Sequence, residues 1–257
     1  MTISVAQAQQ FFLAFTRVMA MLIHVPMLGG RAIPNQVKIG LGFLLTAILL
    51  PGQPLPPEAA LAHGAVPAAV MGVAIGRELV VGTLAGFAAA LTFGALQMTG
   101  ELMGLGGGFG AGRILNPTFD SAGSAMDQFF VMTAMLLFLI FNGHYLFIIA
   151  MARTFTAIPL NSPLPGLTAE RLLRLTGQLI AAGALLATPV LGASLLADLT
   201  LGLLARVSPQ VQVFFLGAPL KVAASLLAFM LALGVLFPAL ADLLRAIGPR
   251  MLMLLGG

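Results

Sequence analysis

The stretch LVVGTLAGFAAALTFGALQM, Leu79–Met98, contains 20 residues and no charge. A helix needs about 20 consecutive apolar residues to cross a bilayer, and this stretch provides them. Two further uncharged stretches of at least this length follow, at Phe129–Ala152 and Val222–Ala241. Because a helix satisfies its own backbone hydrogen bonds in hydrocarbon, we expect an all-α, membrane-associated fold made of helical hairpins and bent helices.

The composition of the whole chain agrees with this expectation. Of the 257 residues, 60% are hydrophobic and 8% are charged, and the mean hydropathy is +1.06. Soluble domains carry about 25% charged residues, so an ordinary soluble protein is excluded. The net charge of +4 comes from basic residues that form no cluster, so we expect no nucleic-acid partner.

Hydropathy divides the chain into six apolar blocks. They cover approximately Val5–Met27, Ile39–Leu50, Val66–Met98, Phe129–Ala152, Leu175–Leu204 and Phe214–Ala241. The second block is too short to span a bilayer, and we expect a re-entrant or buried helix there. The third and fifth blocks are over-long. Because Arg77-Glu78 interrupts one, and Pro189 and Asp198 interrupt the other, we expect each to be a bent helix or a hairpin.

Small residues recur every four positions in the opening stretch, at Gly82, Gly86, Ala90 and Gly94. Such a ridge lets a second helix approach closely and pack by van der Waals contact. Two interpretations remain open at this point: packing within the chain, or packing against a separate subunit. Under either one, lipid does not surround this helix on all sides.

A glycine-rich stretch follows, GLGGGFGAGRILNPTFDSAGSAMDQ, Gly104–Gln128, in which six of the nine residues from Gly104 to Gly112 are glycine. Glycine loses much backbone entropy on folding and packs no side chain, so the interval Glu101–Gln128 predicts a loop or a broken helix. Within a membrane, free backbone is stable only where protein buries it or where it lines a water-filled cavity. We therefore interpret it as a candidate gate or plug.

Ionisable residues inside the apolar blocks are the other candidates for function. They are Arg17, His24, Arg77, Glu78, Glu101, Asp127 and Asp198. One interpretation is that they pair with one another, or with partner subunits, and so fix the packing. The other is a proton or ion pathway, which requires several of them to converge in one bundle.

Signatures of an enzyme or a metal site are weak. The sequence has no cysteine, and its three histidines lack the i, i+4 spacing of a helical metal site. We interpret His144, beside Asn142, as a hydrogen-bonding residue at a helix break. The run Gly106–Ala111 fits a dinucleotide-binding pattern but lacks the flanking strand that gives the pattern meaning. We expect no enzyme and no cofactor.

Several blocks, taken in order, resemble the FliR family of flagellar export-gate proteins, whose injectisome counterparts are the SctT proteins. They are FTRVMAMLIHVPMLGGRAIPNQVKIGLGFLLT (Phe15–Thr46), IGRELVVG (Ile75–Gly82), QMTGELMGLGGGFG (Gln97–Gly110), FLIFNGHYLFI (Phe138–Ile148) and ATPVLGASLLADLTLGLLARVSPQVQVFFLGAPLKV (Ala187–Val222). The likeness runs from about Phe11 to Pro238. It departs from the common family pattern at Gln212, where family members usually have asparagine after the Pro-Gln pair.

The resemblance implies a pore-forming subunit of the type III protein export gate, in the bacterial inner membrane at the flagellar basal body. FliP-like and FliQ-like subunits, FlhB-like and FlhA-like export components, and unfolded exported proteins are the implied partners. Residues 1–163 are expected to be FliP-like, and residues 164–257 are expected to form a FliQ-like hairpin. Use in an injectisome is the alternative. A small-molecule or ion transporter is more remote, because the two halves show no symmetry of broken helices.

The family's plug loop falls on Gly106–Gly123, within the glycine-rich stretch 104–123. The resemblance implies that this loop fills the closed pore and moves when a substrate enters. The plug residues are then Gly106, Gly107, Gly108, Phe109, Gly110, Gly112, Arg113, Ile114, Leu115 and Phe119. The four apolar side chains are expected to seal the pore. The role of Arg113 stays open between pairing with a partner carboxylate and selecting ions.

Overall fold

The computed structural model describes residues 4–30, 33–52, 66–109, 125–163, 169–208 and 213–256. The helices are α1 Val5–His24, α2 Pro26–Gly29, α3 Asn35–Leu49, α4 Ala68–Gly106, α5 Ala125–Ile140, α6 Gly143–Ala157, α7 Ala169–Val207, α8 Val213–Arg245 and α9 Ile247–Leu254, and Leu50–Gly52 forms one 3₁₀ turn. The described residues contain no strand, so the predicted all-α class is confirmed.

Local sequence explains where several helices begin and break. Ser4 and Gln7 form a capping box, in which each side chain accepts a hydrogen bond from the other residue's backbone N–H, and α1 starts there. Val25 separates α1 from α2, and Pro26 is the first residue of α2, the helical position that proline favours. Asn142 adopts a left-handed conformation with φ of 53° between α5 and α6. The predicted break in the fourth block is therefore confirmed.

The over-long blocks are not hairpins. Each of α4 and α7 is a single helix of 39 residues, although α4 contains Arg77 and Glu78 and α7 contains Pro189. The hairpin interpretation of both blocks was wrong. At a rise of 1.5 Å per residue each helix is about 58 Å long, well beyond the roughly 30 Å of a hydrocarbon core.

The chain divides into two compact units. The first comprises Met1–Thr92, Asn142–Thr176 and Arg245–Gly257, and the second comprises Phe93–Phe141 and Gly177–Leu244. In the first unit α1 packs on α3 and α9 packs on α6. In the second unit aromatic rings lie in contact, with the centroids of Phe93 and Phe138 5.5 Å apart and those of Phe130 and Phe229 5.9 Å apart.

Much apolar surface lies open to solvent in the isolated chain. On α8, one face carries side chains that are 60–78% exposed, Leu227, Met230, Leu231 and Val235. On α3, Ile39, Phe43 and Ile48 are more than half exposed, so the chain alone does not bury this helix. Apolar faces of this extent mark surfaces that lipid or other protein covers.

Three of the described helices are long and apolar enough to cross a membrane. They are Ala68–Gly106, Ala169–Val207 and the part of α8 from Leu216 to Arg245. The broken pair α5 and α6 makes a fourth candidate if the two are counted as one span. Length and composition thus support a polytopic membrane protein.

Candidate functional site

The chain departs from helical structure later than the composition of the glycine-rich stretch predicts. Helix α4 continues through Gly104 to Gly106, and the N–H of Gly107 still donates to the carbonyl of Met103 at 2.8 Å. The prediction of a loop or broken helix was therefore wrong for residues 101–106, as it was for Ala125–Gln128, which begin α5. Neighbouring turns of helix satisfy the backbone of Gly104 internally, which offsets the low helix propensity of glycine.

The chain leaves the helix at Gly107–Phe109. Gly108 has φ of +82°, a left-handed conformation that L side chains rarely adopt, and it therefore needs glycine. Phe109 is half-buried. The other predicted plug residues lie outside the described part of the chain: Gly110, Gly112, Arg113, Ile114, Leu115 and Phe119.

Two helices of the second unit contact the start of this segment. From α7, the hydroxyl of Ser194 donates to the carbonyl of Gly106 at 2.5 Å, and the side chain of Leu191 lies against Gly106. From α8, the side chains of Lys221 and Val222 lie beside Gly108. The first residues of the glycine-rich stretch thus rest on the C-terminal half of the chain.

A buried ion pair forms the polar centre of the first unit. The Nε of Arg17 in α1 donates to Oε2 of Glu78 in α4 at 2.5 Å, and the two side chains are 0% and 2% exposed. The sequence offered both residues as candidates, and the structure brings them together across 61 positions. A buried charge is stable only when it is paired and hydrogen-bonded, so this pair ties α1 to α4.

Further hydrogen bonds extend the pair to the end of α6. The Nη1 of Arg17 donates to the carbonyls of Thr154 and Ile158, at 3.1 and 2.6 Å. These carbonyls lie at the C-terminus of α6, where a cation is favoured, and the carbonyl of Thr154 also accepts from the N–H of Ile158 at 2.9 Å. Oε1 of Glu78 accepts from the N–H of Asn161 at 3.0 Å, and the guanidinium lies 4.6 Å from the ring centroid of Phe155.

The other candidate charges take no part in this cluster. Asp198 pairs with Lys221 at 2.7 Å in the second unit, and that pair is partly exposed. Glu101 is exposed and accepts from the side chain of Gln97 at 3.3 Å. Arg77 is half-buried and forms no ion pair with a described residue. The candidates therefore do not converge on one pathway within either unit.

The ridge of small residues divides into a packed part and an open part. A methyl group placed on Gly82 meets the carbonyl oxygen of Arg17 at 2.6 Å, and one on Gly86 meets Met21 Cα at 3.0 Å. Both glycines thus let α4 pack tightly on α1. Ala90 is half-buried, whereas Gly94 is exposed and has no atom within 4 Å of such a methyl group.

Sequence reasoning missed several residues of these sites. The backbone carbonyls of Thr154 and Ile158 accept hydrogen bonds, and the hydroxyl of Ser194 donates one. No spacing of residues in the sequence identifies such groups in advance. For Asn161 the sequence offers one signal, the residue type itself, because asparagine adopts the left-handed conformation more readily than most residues. In the structure its φ is 59°. His144 does not bond as predicted, since its Nδ1 has no partner among the described residues and the break comes from the backbone of Asn142.

The sequence matches a known protein family over nearly its whole length. A model of the family described as "Bacterial export proteins, family 1" matches residues 8–247. The chain belongs to this family. It is therefore a subunit of the type III protein export apparatus and a structural component rather than an enzyme. The FliR resemblance of the sequence is confirmed.

Individual members of the family agree with this assignment. The chain is 32% identical to "Flagellar biosynthetic protein FliR" of Pectobacterium carotovorum subsp. carotovorum over 230 residues, which cover 89% of this chain and 84% of the relative. It is 31% identical to the protein of the same name in Escherichia coli K12, covering 87% of this chain and 84% of that one. "Yop proteins translocation protein T" of Yersinia pestis is 28% identical and shares 70% of each chain.

Proposed function

We propose that this export protein is a pore-forming subunit of the flagellar export gate in the bacterial inner membrane, where unfolded flagellar proteins pass through an assembly at the basal body. The observation that carries the proposal is the 31–32% identity to flagellar FliR proteins over 84% of their length. FliP-like and FliQ-like chains are the proposed neighbours in the assembly, with FlhB-like and FlhA-like components beside it.

The exposed apolar surface supports an assembly of several subunits. The face of α8 that contains Leu227, Leu231 and Val235 is open in the isolated chain, and so is the ridge position Gly94. A small residue at an open position admits the close approach of another helix. We assign this surface to neighbouring subunits and to lipid.

The glycine-rich stretch is the proposed plug of the closed channel. Its non-helical part begins at Gly107, directly after a spanning-length helix, and its first residues contact α7 and α8. Backbone without large side chains gives up few packing contacts when it moves, so a loop of this composition suits a closure that a passing chain displaces. Phe109 and the apolar residues that follow it are the proposed seal.

Removal of Gly110–Gly112 tests the plug. We expect the assembled complex to conduct ions persistently, because the shortened loop cannot fill the channel. The ratio of conducting to closed complexes should rise about tenfold or more. A loss of about 1.4 kcal/mol from the free energy that favours the closed state is enough to change this ratio tenfold. Single-channel conductance of the purified complex in planar bilayers measures the change.

The matched control removes three residues from a different part of the sequence, residues 53–55. That complex should stay as closed as the unaltered one. If the Gly110–Gly112 deletion also leaves the conductance unchanged in a fully assembled complex, the stretch does not plug the channel.

The second candidate is the same role in an injectisome, which the Yersinia relative favours. Flagellar relatives match with higher identity and greater coverage, so we expect deletion of the gene in its own bacterium to abolish swimming. A swimming assay on soft agar, with secretion of virulence effectors measured in parallel, separates the two. Normal swimming together with lost effector secretion would assign the chain to an injectisome.

A further inference from the structure

A side chain of α7 satisfies the last carbonyl of α4. The carbonyls in the final turn of a helix have no partner within that helix. Here the hydroxyl of Ser194 donates to the carbonyl of Gly106 at 2.5 Å, and Ser194 is only 3% exposed. In an environment without water, an unsatisfied carbonyl is costly, so this hydrogen bond fixes the point at which the helix ends.

The adjoining contacts come from the same faces of α7 and α8. Leu191, Ser194 and Asp198 are separated by three and four positions, which places them on one side of α7. Leu191 lies against Gly106, while Asp198 reaches across to Lys221 of α8 at 2.7 Å. The aliphatic part of Lys221 in turn lies 3.7 Å from a methyl group placed on Gly108.

The packing of α4 on α7 within the second unit places Gly106 beside Leu191 and Ser194. One contact lies two turns before Gly106, where the hydroxyl of Thr99 donates to the carbonyl of Gly183 at 3.0 Å. Gly183 allows the close approach, since a methyl group there meets the carbonyl oxygen of Ala95 at 2.7 Å. From Thr99 to Gly106 and from Gly183 to Ser194 the two helices run side by side in the same direction.

We propose that Ser194 is a positioning residue of the plug: its hydrogen bond to Gly106 holds the start of the glycine-rich segment on α7, and the Asp198–Lys221 pair supports Gly108 beside it. The inference rests on the proposed function, because it concerns how the plug is held. Loss of the Ser194 hydrogen bond should therefore leave residues 106–109, the described start of the segment, less firmly held.

The absence of cysteine from the sequence permits a direct test. A single reporter, Phe109→Cys, is introduced and its rate of reaction with a small maleimide is measured in the complex assembled with FliP-like and FliQ-like subunits. In this background Ser194→Ala should increase the labelling rate about five- to tenfold, as expected for the loss of one buried hydrogen bond. Ser194→Thr keeps the hydroxyl and should restore a rate close to that of the reporter alone.

Ser225→Ala is the matched control. Ser225 is 0% exposed in the same unit, and its hydroxyl has no hydrogen-bond partner among the described residues. Its replacement should leave the labelling rate unchanged. Equal rates for the Ser194→Ala and Ser225→Ala complexes would overturn the positioning role.

Failure of this inference is distinguishable from failure of the proposed plug. Labelling of Phe109→Cys reports only how firmly the start of the segment is held. The conductance of the Gly110–Gly112 deletion reports only whether the segment closes a channel. A leaking deletion with equal labelling rates removes the role of Ser194 and keeps the plug. A silent deletion removes the plug, and with it the function assigned to Ser194.

Discussion

Replacement of Arg17 by methionine is expected to lower the free energy of unfolding by about 3–5 kcal/mol, the usual cost of removing one partner of a buried ion pair. Without the guanidinium, the carboxylate of Glu78 stays buried and keeps only the N–H of Asn161 among its described partners. The carbonyls of Thr154 and Ile158 lose the guanidinium N–H as well, although that of Thr154 keeps the N–H of Ile158. Thermal unfolding of the purified protein in detergent measures the effect, together with the yield of monodisperse protein.

A second substitution tests whether the buried charge is the cause. Glu78→Gln removes the charge and retains an oxygen that accepts from the N–H of Asn161. The double variant Arg17→Met with Glu78→Gln should therefore be more stable than Arg17→Met alone. Equal midpoints for the two would show that lost packing, not an unpaired charge, causes the destabilisation.

An exposed ion pair provides the control for this prediction. Arg174 and Glu170 pair at 2.9 Å, one helical turn apart, with side chains that are 63% and 75% exposed. Solvent screens such pairs, which contribute about 0–1 kcal/mol. Arg174→Met should accordingly change the unfolding midpoint little. If Arg17→Met behaved in the same way, the buried pair would not hold α1 on α4.

The long apolar blocks explain why the fold class could be predicted from the sequence. An uninterrupted run such as Leu79–Met98 admits one solution in a membrane, a helix, and the structure places it inside α4. The helix break beside His144 was predicted as well, and the structure places it at Asn142. These features depend on local sequence alone.

Local sequence did not predict the structure where a contact with a residue distant in the sequence is involved. Arg77-Glu78 predicts an interruption, yet α4 continues through both residues, and Glu78 pairs with Arg17, which lies 61 positions earlier. The neighbouring Arg77 projects about 100° away around the helix and has no such partner in the described residues. No pattern in the sequence selects Glu78 over Arg77, since only the placement of α1 distinguishes them.

The glycine-rich stretch shows the same limit at the candidate site. Its composition correctly indicated a departure from helix, and Gly108 with φ of +82° makes that departure. The boundary was misplaced because Ser194 and Leu191 of α7 pack on Gly106, and the position of α7 could not be known beforehand. Tertiary contacts of this kind override the intrinsic propensity of a glycine.

Replacement of Gly82 by leucine is the second prediction with a large expected effect, a destabilisation of about 3 kcal/mol at the upper end of the usual cost of overpacking. A methyl group at Gly82 already meets the carbonyl oxygen of Arg17 at 2.6 Å and Ala20 Cβ at 2.7 Å. Backbone cannot rotate aside as a side chain does, so α1 must shift away from α4. That shift also lengthens the hydrogen bond from Arg17 to Glu78, so the steric clash at Gly82 and the weakened ion pair should destabilise the protein together.

Gly76→Leu distinguishes this steric effect from a change in helix propensity. Gly76 lies in the same helix, is exposed, and has no atom within 4 Å of a methyl group built on it. Leucine there should be neutral or stabilising by up to about 1 kcal/mol, because it is the better helix former. Unfolding midpoints of the two variants in detergent are the measurement. A Gly82→Leu protein as stable as Gly76→Leu would mean that α1 and α4 do not pack through this glycine, and Gly82 would then be free for a neighbouring subunit.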